Sequence, residues 1–194
     1  DDEGDDEGDD NGRELGSGEG SIDDLNENSS DDSTVEEGQL SAIFEFEAEI
    51  EGDVEIDRVE LYMEADDAGS ESDNADDYFT EAQLWVDGEE VASLDVDDFD
   101  EDNYGVVDVV NGAGDEFRLR FSSLGLIFED GDEPEFQVAF QALNNIDSTD
   151  RSNADWSVAM EGIRYVDGEG FTDTDSTTVT DSFTIDAEEA ANLD

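Results

Sequence analysis

From about residue 39 onward, apolar side chains recur at every second position, the period of a strand that buries one face. In residues 42–50, Phe44, Phe46, Ala48 and Ile50 share one side while Glu45, Glu47 and Glu49 share the other. Glu is a poor strand former, so burial of the aromatic side must decide the structure there. Residues 54–63 place Val59, Leu61 and Met63 together. Leu84 and Val86 then run into Asp87-Gly88, with a second alternating run at 91–96, which predicts a hairpin closed by a two-residue turn.

The same pattern predicts strands at 104–110, at 117–121 and at 124–128; in the second of these Phe117, Leu119 and Phe121 alternate with Arg118 and Arg120. After an acidic turn at 129–134, Phe136, Val138, Phe140 and Ala142 align. Trp156, Val158 and Met160 follow, with a bulge expected at Gly162. A Thr-rich run carries Val179, Phe183 and Ile185, and only 187–193 reads as helical. Some nine short strands without crossover helices predict an all-β chain, an antiparallel β-sandwich of jelly-roll-like form.

Residues 1–38 break this pattern. Their sizeable apolar groups are only Leu15, Ile22, Leu25 and Val35 among repeated Asp, Glu and Gly. They read as an extended acidic arm or linker, held if at all by a neighbouring subunit, ahead of a sandwich domain at 39–194. The chain opens on Asp1 instead of Met, which carries the expectation of a removed leader and of export.

Charge changes the picture most. Sixty-three residues are Asp or Glu against six cations, all Arg, for a net charge of −57. At low ionic strength such repulsion opposes compaction, whereas molar salt shortens the screening length to roughly 3 Å. A disordered polyacid is the alternative, but 35% of the residues are hydrophobic and they fall in order. The composition therefore predicts a folded protein that works in brine.

The same composition excludes several chemistries. With no Cys and no His there is neither thiolate chemistry nor the commonest general base and metal ligand, and with no Lys there is no phosphate-cradling lysine loop. Nucleic acid and anionic membrane surfaces are excluded as partners by repulsion. Paired carboxylates suggest a glycosidase, but a chain one-third acidic brings carboxylates together by chance. The expectation is a non-enzymatic protein that needs no cofactor.

Calcium or another cation is the better-founded ligand, because hard cations take several oxygen ligands. Asp98, Asp100 and Asp102 alternate in one segment, although Asn103 and Val109 stand where an EF-hand needs Gly and Glu. Asp130 with Asp132 and Asp173 with Asp175 are weaker pairs. A solvated acidic loop is the simpler reading of all three. Arg58, Arg118, Arg120 and Arg164 are expected to neutralise carboxylates across a sheet. Trp85 lies on the face opposite Leu84 and Val86; core or interface is the favoured reading, with carbohydrate binding the alternative. Asn28 begins an Asn-Ser-Ser sequon in the arm.

In its lysine-free, acid-saturated composition the chain resembles haloarchaeal secreted surface proteins. Over residues 39–186 its architecture resembles β-sandwich subunits of filaments and pilus-like threads that polymerise by donating a terminal strand. That resemblance implies an extracellular, cell-surface structural subunit forming a homo-oligomer or polymer by β-strand complementation, with Val179, Phe183 and Ile185 as anchors of the donated strand. The alternatives are a carbohydrate-binding or adhesion module with a calcium-ordered loop, and a halovirus spike, fibre or capsid-decoration protein.

Overall fold

The computed structural model describes residues 14–28, 34–65, 72, 74–101, 115–147, 152–176 and 180–186. Their strands are β1 (Ser21–Asn28), β2 (Thr34–Glu36), β3 (Leu40–Glu51), β4 (Val54–Ala65), β5 (Phe79–Val86), β6 (Glu89–Asp95), β7 (Asp100–Glu101), β8 (Glu116–Phe128), β9 (Glu135–Ala142), β10 (Ser152–Asp167), β11 (Thr172–Asp175) and β12 (Thr180–Asp186). They form two sheets. The first runs β1-β3-β9-β5-β6, and the second β2-β12-β10-β4-β8-β7 with β11 also on β10. Every pairing is antiparallel except the parallel contact of β2 with β12. The chain is an all-β sandwich.

The alternation explains the layers. Phe44, Phe46, Ala48 and Ile50 of β3, Phe136, Val138 and Phe140 of β9, and Val59, Leu61 and Met63 of β4 are all buried in one core. At its centre Trp156 meets Tyr78 and Phe79 edge-on at 5.6 and 5.5 Å, and Phe46 stacks on Phe136 at 4.9 Å. Each large side chain withdrawn from water contributes roughly 2–3 kcal/mol, which is how strands dotted with glutamate are held.

The β5–β6 hairpin turns at Asp87-Gly88 as expected, with φ of 51° and 80°, the left-handed pair that a type I′ turn requires. The two runs at 117–121 and 124–128 belong to one strand, β8, interrupted where Ser123 takes φ 62°. β11 was not expected. It returns from β10 through a turn in which Asp167 Oδ1 accepts from Glu169 N and Phe171 N at 3.0 and 2.8 Å.

The largest difference concerns the segment assigned to an arm. Ser21–Asn28 pairs along β3 with Ile22 and Leu25 buried, and Val35 of β2 is buried beside β12. Two or three apolar residues were enough, because the neighbouring strand supplies the rest of the burial. Glycine supplies the approach. A Cβ on Gly20 would lie 2.4 Å from Asp53 O, and one on Gly168 would lie 2.3 Å from Gly16 O. The Gly-rich stretch at 16–20 is thus packed against the end of the sandwich, on its own chain.

The strand expected at 104–110 and the helical run at 187–193 lie outside the described residues.

Candidate functional site

The outward face of the second sheet gathers most of the chain's cations. Strand alternation puts Arg58, Glu60 and Tyr62 of β4 and Arg118 and Arg120 of β8 opposite the buried Val59, Leu61, Leu119 and Phe121. Register then pairs Arg120 with Glu60, Arg118 with Tyr62, and Arg58 with Arg164 of β10.

Two bulges deliver further carboxylates to this face. Between β10 and β4 the register steps from Met160 opposite Leu61 to Gly162 opposite Glu60, so Glu161 is the extra residue. A second step, from Arg164 opposite Arg58 to Tyr165 opposite Ile56, leaves Asp57 as the extra residue of β4. Bulges bend a strand and re-aim side chains, and both of these point an acid at arginines or at another acid.

Glu60 is the node, only 5% exposed. Arg120 donates to it through Nε and Nη2, each at 2.9 Å, while Arg58 Nε stands at 3.3 Å and Arg118 Nε at 3.7 Å. Arg118 also pairs with Asp100 of β7. Arg164 donates Nε to Asp57 Oδ1 at 2.8 Å and makes a second, shorter contact through Nη2. The neutralisation of carboxylates across the sheet is thus as expected, in a bidentate form that only Arg can make.

Burial pushes the Glu60 carboxyl up, but the hydrogen bonds from Arg120 and Glu161 and the charges of Arg120 and Arg58 outweigh it, holding Glu60 below the usual range. Burial, then the hydrogen bond with Glu60, raises Glu161. Of the two carboxyls, Glu161 is therefore the one that takes up a proton more readily. Burial raises the Tyr62 hydroxyl to about 12, helped by its hydrogen bond to Glu161 and by the charges of Glu161 and Glu60. Arg120 is raised by its bond to Glu60, and Arg164 by its bond to Asp57. The arrangement is a locked ion-pair array: each carboxylate oxygen of Glu60 is already engaged, so this glutamate is poorly placed as a nucleophile.

The other sequence candidates are scattered. Asp98 sits in a single 3-10 turn after β6, Asp100 is paired with Arg118, and Asp102 lies outside the described residues. Asp130 Oδ1 accepts from Gly52 N at 2.9 Å and Asp132 Oδ2 from Glu129 N at 3.0 Å, so these two shape turns, while Asp173 within β11 accepts at Oδ1 from the adjacent Thr174 N at 2.8 Å. Among the described residues no group of three or more acids is placed to hold a metal ion. Asn28 ends β1, opposite Glu45 of β3, and the remainder of its sequon is outside the described residues.

Phe183 and Ile185 are buried in the chain's own core, Phe183 stacked on Phe140 at 5.7 Å, and Val179 is outside the described residues. Trp85 is not core. It lies half-buried on the outward face of the first sheet, its Nε1 donating to Gln83 Oε1 at 3.0 Å and its strand partner being Gln137. Alternation placed it opposite Leu84 and Val86; the sequence held no sign of whether that face was covered.

No family model matches the sequence, and no curated protein matches it. Solved structures to which the chain is similar include a cohesin module from a Clostridium perfringens family 33 glycoside hydrolase, 16% identical with a TM-score of 0.37, covering 84% of this chain and 98% of that one. Another is AvmM, which catalyses macrocyclization in alchivemycin A biosynthesis, at 12% identity and TM-score 0.44, covering 88% and 90%. A third is ACE19, the collagen-binding subdomain of the Enterococcus faecalis surface protein ACE, at 14% and 0.33, covering 79% and 93%. At these values the similarity carries no argument about activity or ligand.

Proposed function

We propose that this chain is a non-enzymatic structural subunit of an extracellular surface in a high-salt habitat, a filament or surface layer built from copies of itself. The observation that supports it most is the place of β12. This seven-residue strand lays Phe183 and Ile185 into the core, Phe183 against Phe79 and Phe140. The same strand supplied by a neighbour would fill the same groove in the same register, the route by which an exchanged strand joins subunits.

The chain has no cysteine, so one engineered pair reports this directly. Ser157 and Ser182 are opposite each other on β10 and β12. In Ser157→Cys/Ser182→Cys protein assembled and oxidised in molar NaCl, exchange gives a ladder of covalent oligomers on a non-reducing gel. Disulfide-linked monomers alone, from material that electron microscopy shows as polymer, would sink the exchange. Material that stays monomeric in molar NaCl would sink the subunit reading itself.

A second reading has its own observation. Trp85 stands on an outward face among the amides of Gln83 and Gln137, a pairing of ring and hydrogen-bonding groups that suits a neutral sugar chain. Trp156 is fully buried, so quenching of tryptophan emission by a soluble polysaccharide would report Trp85. Unchanged emission across a panel of neutral polysaccharides would remove this reading.

A further inference from the structure

We infer that the arginine-bearing outward face of the second sheet docks on the carboxylate-bearing outward face of the first sheet of a second copy, so that copies stack head to tail. This deepens the structural-subunit reading and rests on it.

The two faces differ in kind. The described strands of the first sheet contain no arginine, and their outward side presents Glu47, Glu49, Glu81 and Glu135, with Glu45 on the same side but buried beneath Gln137. Four of the six cations of the whole chain stand on the outward side of the second, each paired with an acid there, so this face offers guanidinium donors beside its carboxylates.

Chemistry favours their meeting. An ionised carboxylate only accepts hydrogen bonds, so carboxylates brought against carboxylates exchange none. Arg has five N–H donors. Arg120 and Arg164 each spend Nε and Nη2 on their own carboxylate, and among the described residues Nη1 of neither is engaged. Their side chains are 42% and 39% exposed. The outward donors are therefore held rigid by Glu60 and Asp57 and turned to solvent, so little side-chain entropy remains to be lost on contact.

Salt sharpens the choice. Where screening acts over roughly 3 Å, net charge ceases to matter and only groups in contact contribute. A second copy then finds on this face guanidinium donors, which the described strands of the first sheet lack. Trp85, on the acidic face, offers an arginine a ring as well. Because the two faces are different surfaces, the contact is heterologous and leaves both ends open, which builds a thread or layer.

The test uses two charge-reversed proteins in molar NaCl, Arg120→Glu/Arg164→Glu and Glu81→Arg/Glu135→Arg, with circular dichroism to confirm folding and light scattering to follow assembly. Each alone is expected to associate at least roughly tenfold more weakly than wild type. An equimolar mixture, which pairs the two reversed faces with each other and the two native faces with each other, is expected to recover assembly. Should Arg120→Glu/Arg164→Glu fail to fold, Arg164→Glu alone replaces it, since Glu60 keeps its own arginines. Wild-type assembly by either variant alone, or a mixture no better than its parts, overturns the stacking while leaving the subunit reading intact. Wild-type protein that stays monomeric overturns both.

Discussion

Arg120 grips Glu60 through two parallel hydrogen bonds of 2.9 Å, straight across the β4–β8 register, so that a buried carboxylate and a half-exposed guanidinium form one planar unit. Arg58 and Arg118 lean on the same two oxygens. In a chain with ten times more acids than cations, half of the arginines are spent on a single glutamate. Neutralising Glu60 should therefore cost more than removing any exposed acid. We expect Glu60→Gln to lower stability by about 2 kcal/mol, reduced from the fully buried case because Arg120 reaches solvent. Urea unfolding in molar NaCl measures it. A midpoint equal to wild type would mean that the array is ornamental.

Glu161 should impose a pH dependence of opposite sign to that of Glu60. Its folded carboxyl is raised, so the stability it contributes is fully present below the unfolded value of about 4.5 and is lost as pH rises through the folded value. Glu60 is lowered, so its contribution is present above that unfolded value and lost as pH falls through the folded one. Glu161→Gln keeps the neutral form at every pH. It is expected to be more stable than wild type near neutral pH, by about 1 kcal/mol after solvent screening, and indistinguishable from it below about pH 4. Equal stability of the two proteins at every pH would show that the Glu161 carboxyl is not raised in the folded protein.

Dilution of salt should lower the stability of the folded protein. Going from about 1 M to about 0.1 M lengthens the screening length from roughly 3 to roughly 10 Å, long enough for neighbouring carboxylates to repel through solvent. The expected fall in melting temperature is at least roughly 10 °C, since each kcal/mol moves a chain of this size by roughly 2–4 °C. Emission from the buried Trp156 follows the transition. A melting temperature indifferent to NaCl would contradict the reading of the charge as an adaptation to brine.

The sandwich was legible in the sequence wherever an inner face is aromatic. Phe44, Phe46, Phe136 and Phe140 announce their strands because burial is what explains phenylalanines repeated at even positions in runs that also carry glutamate and glutamine. Ser21–Asn28 was not legible, since Ile22 and Leu25 are two apolar residues in an acidic run and the rest of its stability comes from β3. The site was half legible. Alternation put Arg118 and Arg120 on the outward face and suggested a bulge at Gly162. That the bulge would present Glu161 to Glu60, and that a second would present Asp57 to Arg164, depends on pairing register, which no local pattern encodes.

The glycines at the chain's acidic start should prove structural. A Cβ on Gly20 would sit 2.4 Å from a backbone oxygen of Asp53, and backbone cannot turn aside as a side chain can. Gly20→Ala is expected to detach the segment before β1 and to cost about 1–2 kcal/mol, as strain at a special backbone site does. Hydrogen exchange at residues 16–22 is the direct measurement. Protection there equal to wild type would mean that this segment is not packed as described.

Trp156 offers the sharpest test of the core. Its ring is fully buried against Tyr78, Phe79 and Phe117, yet Nε1 has no hydrogen-bond partner among the described residues. Leaving that donor unsatisfied costs about 1–3 kcal/mol, comparable to the packing lost when the indole is trimmed to a phenyl ring. The two effects oppose each other in Trp156→Phe, which should therefore change stability by no more than about 1 kcal/mol. Trp156→Ala gains the same relief but opens a far larger cavity, and should still cost about 3 kcal/mol or more. Urea midpoints of the two variants decide it. If Trp156→Phe were as damaging as Trp156→Ala, the indole N–H would have to be bonded in solution, by a buried water in contact with Nε1.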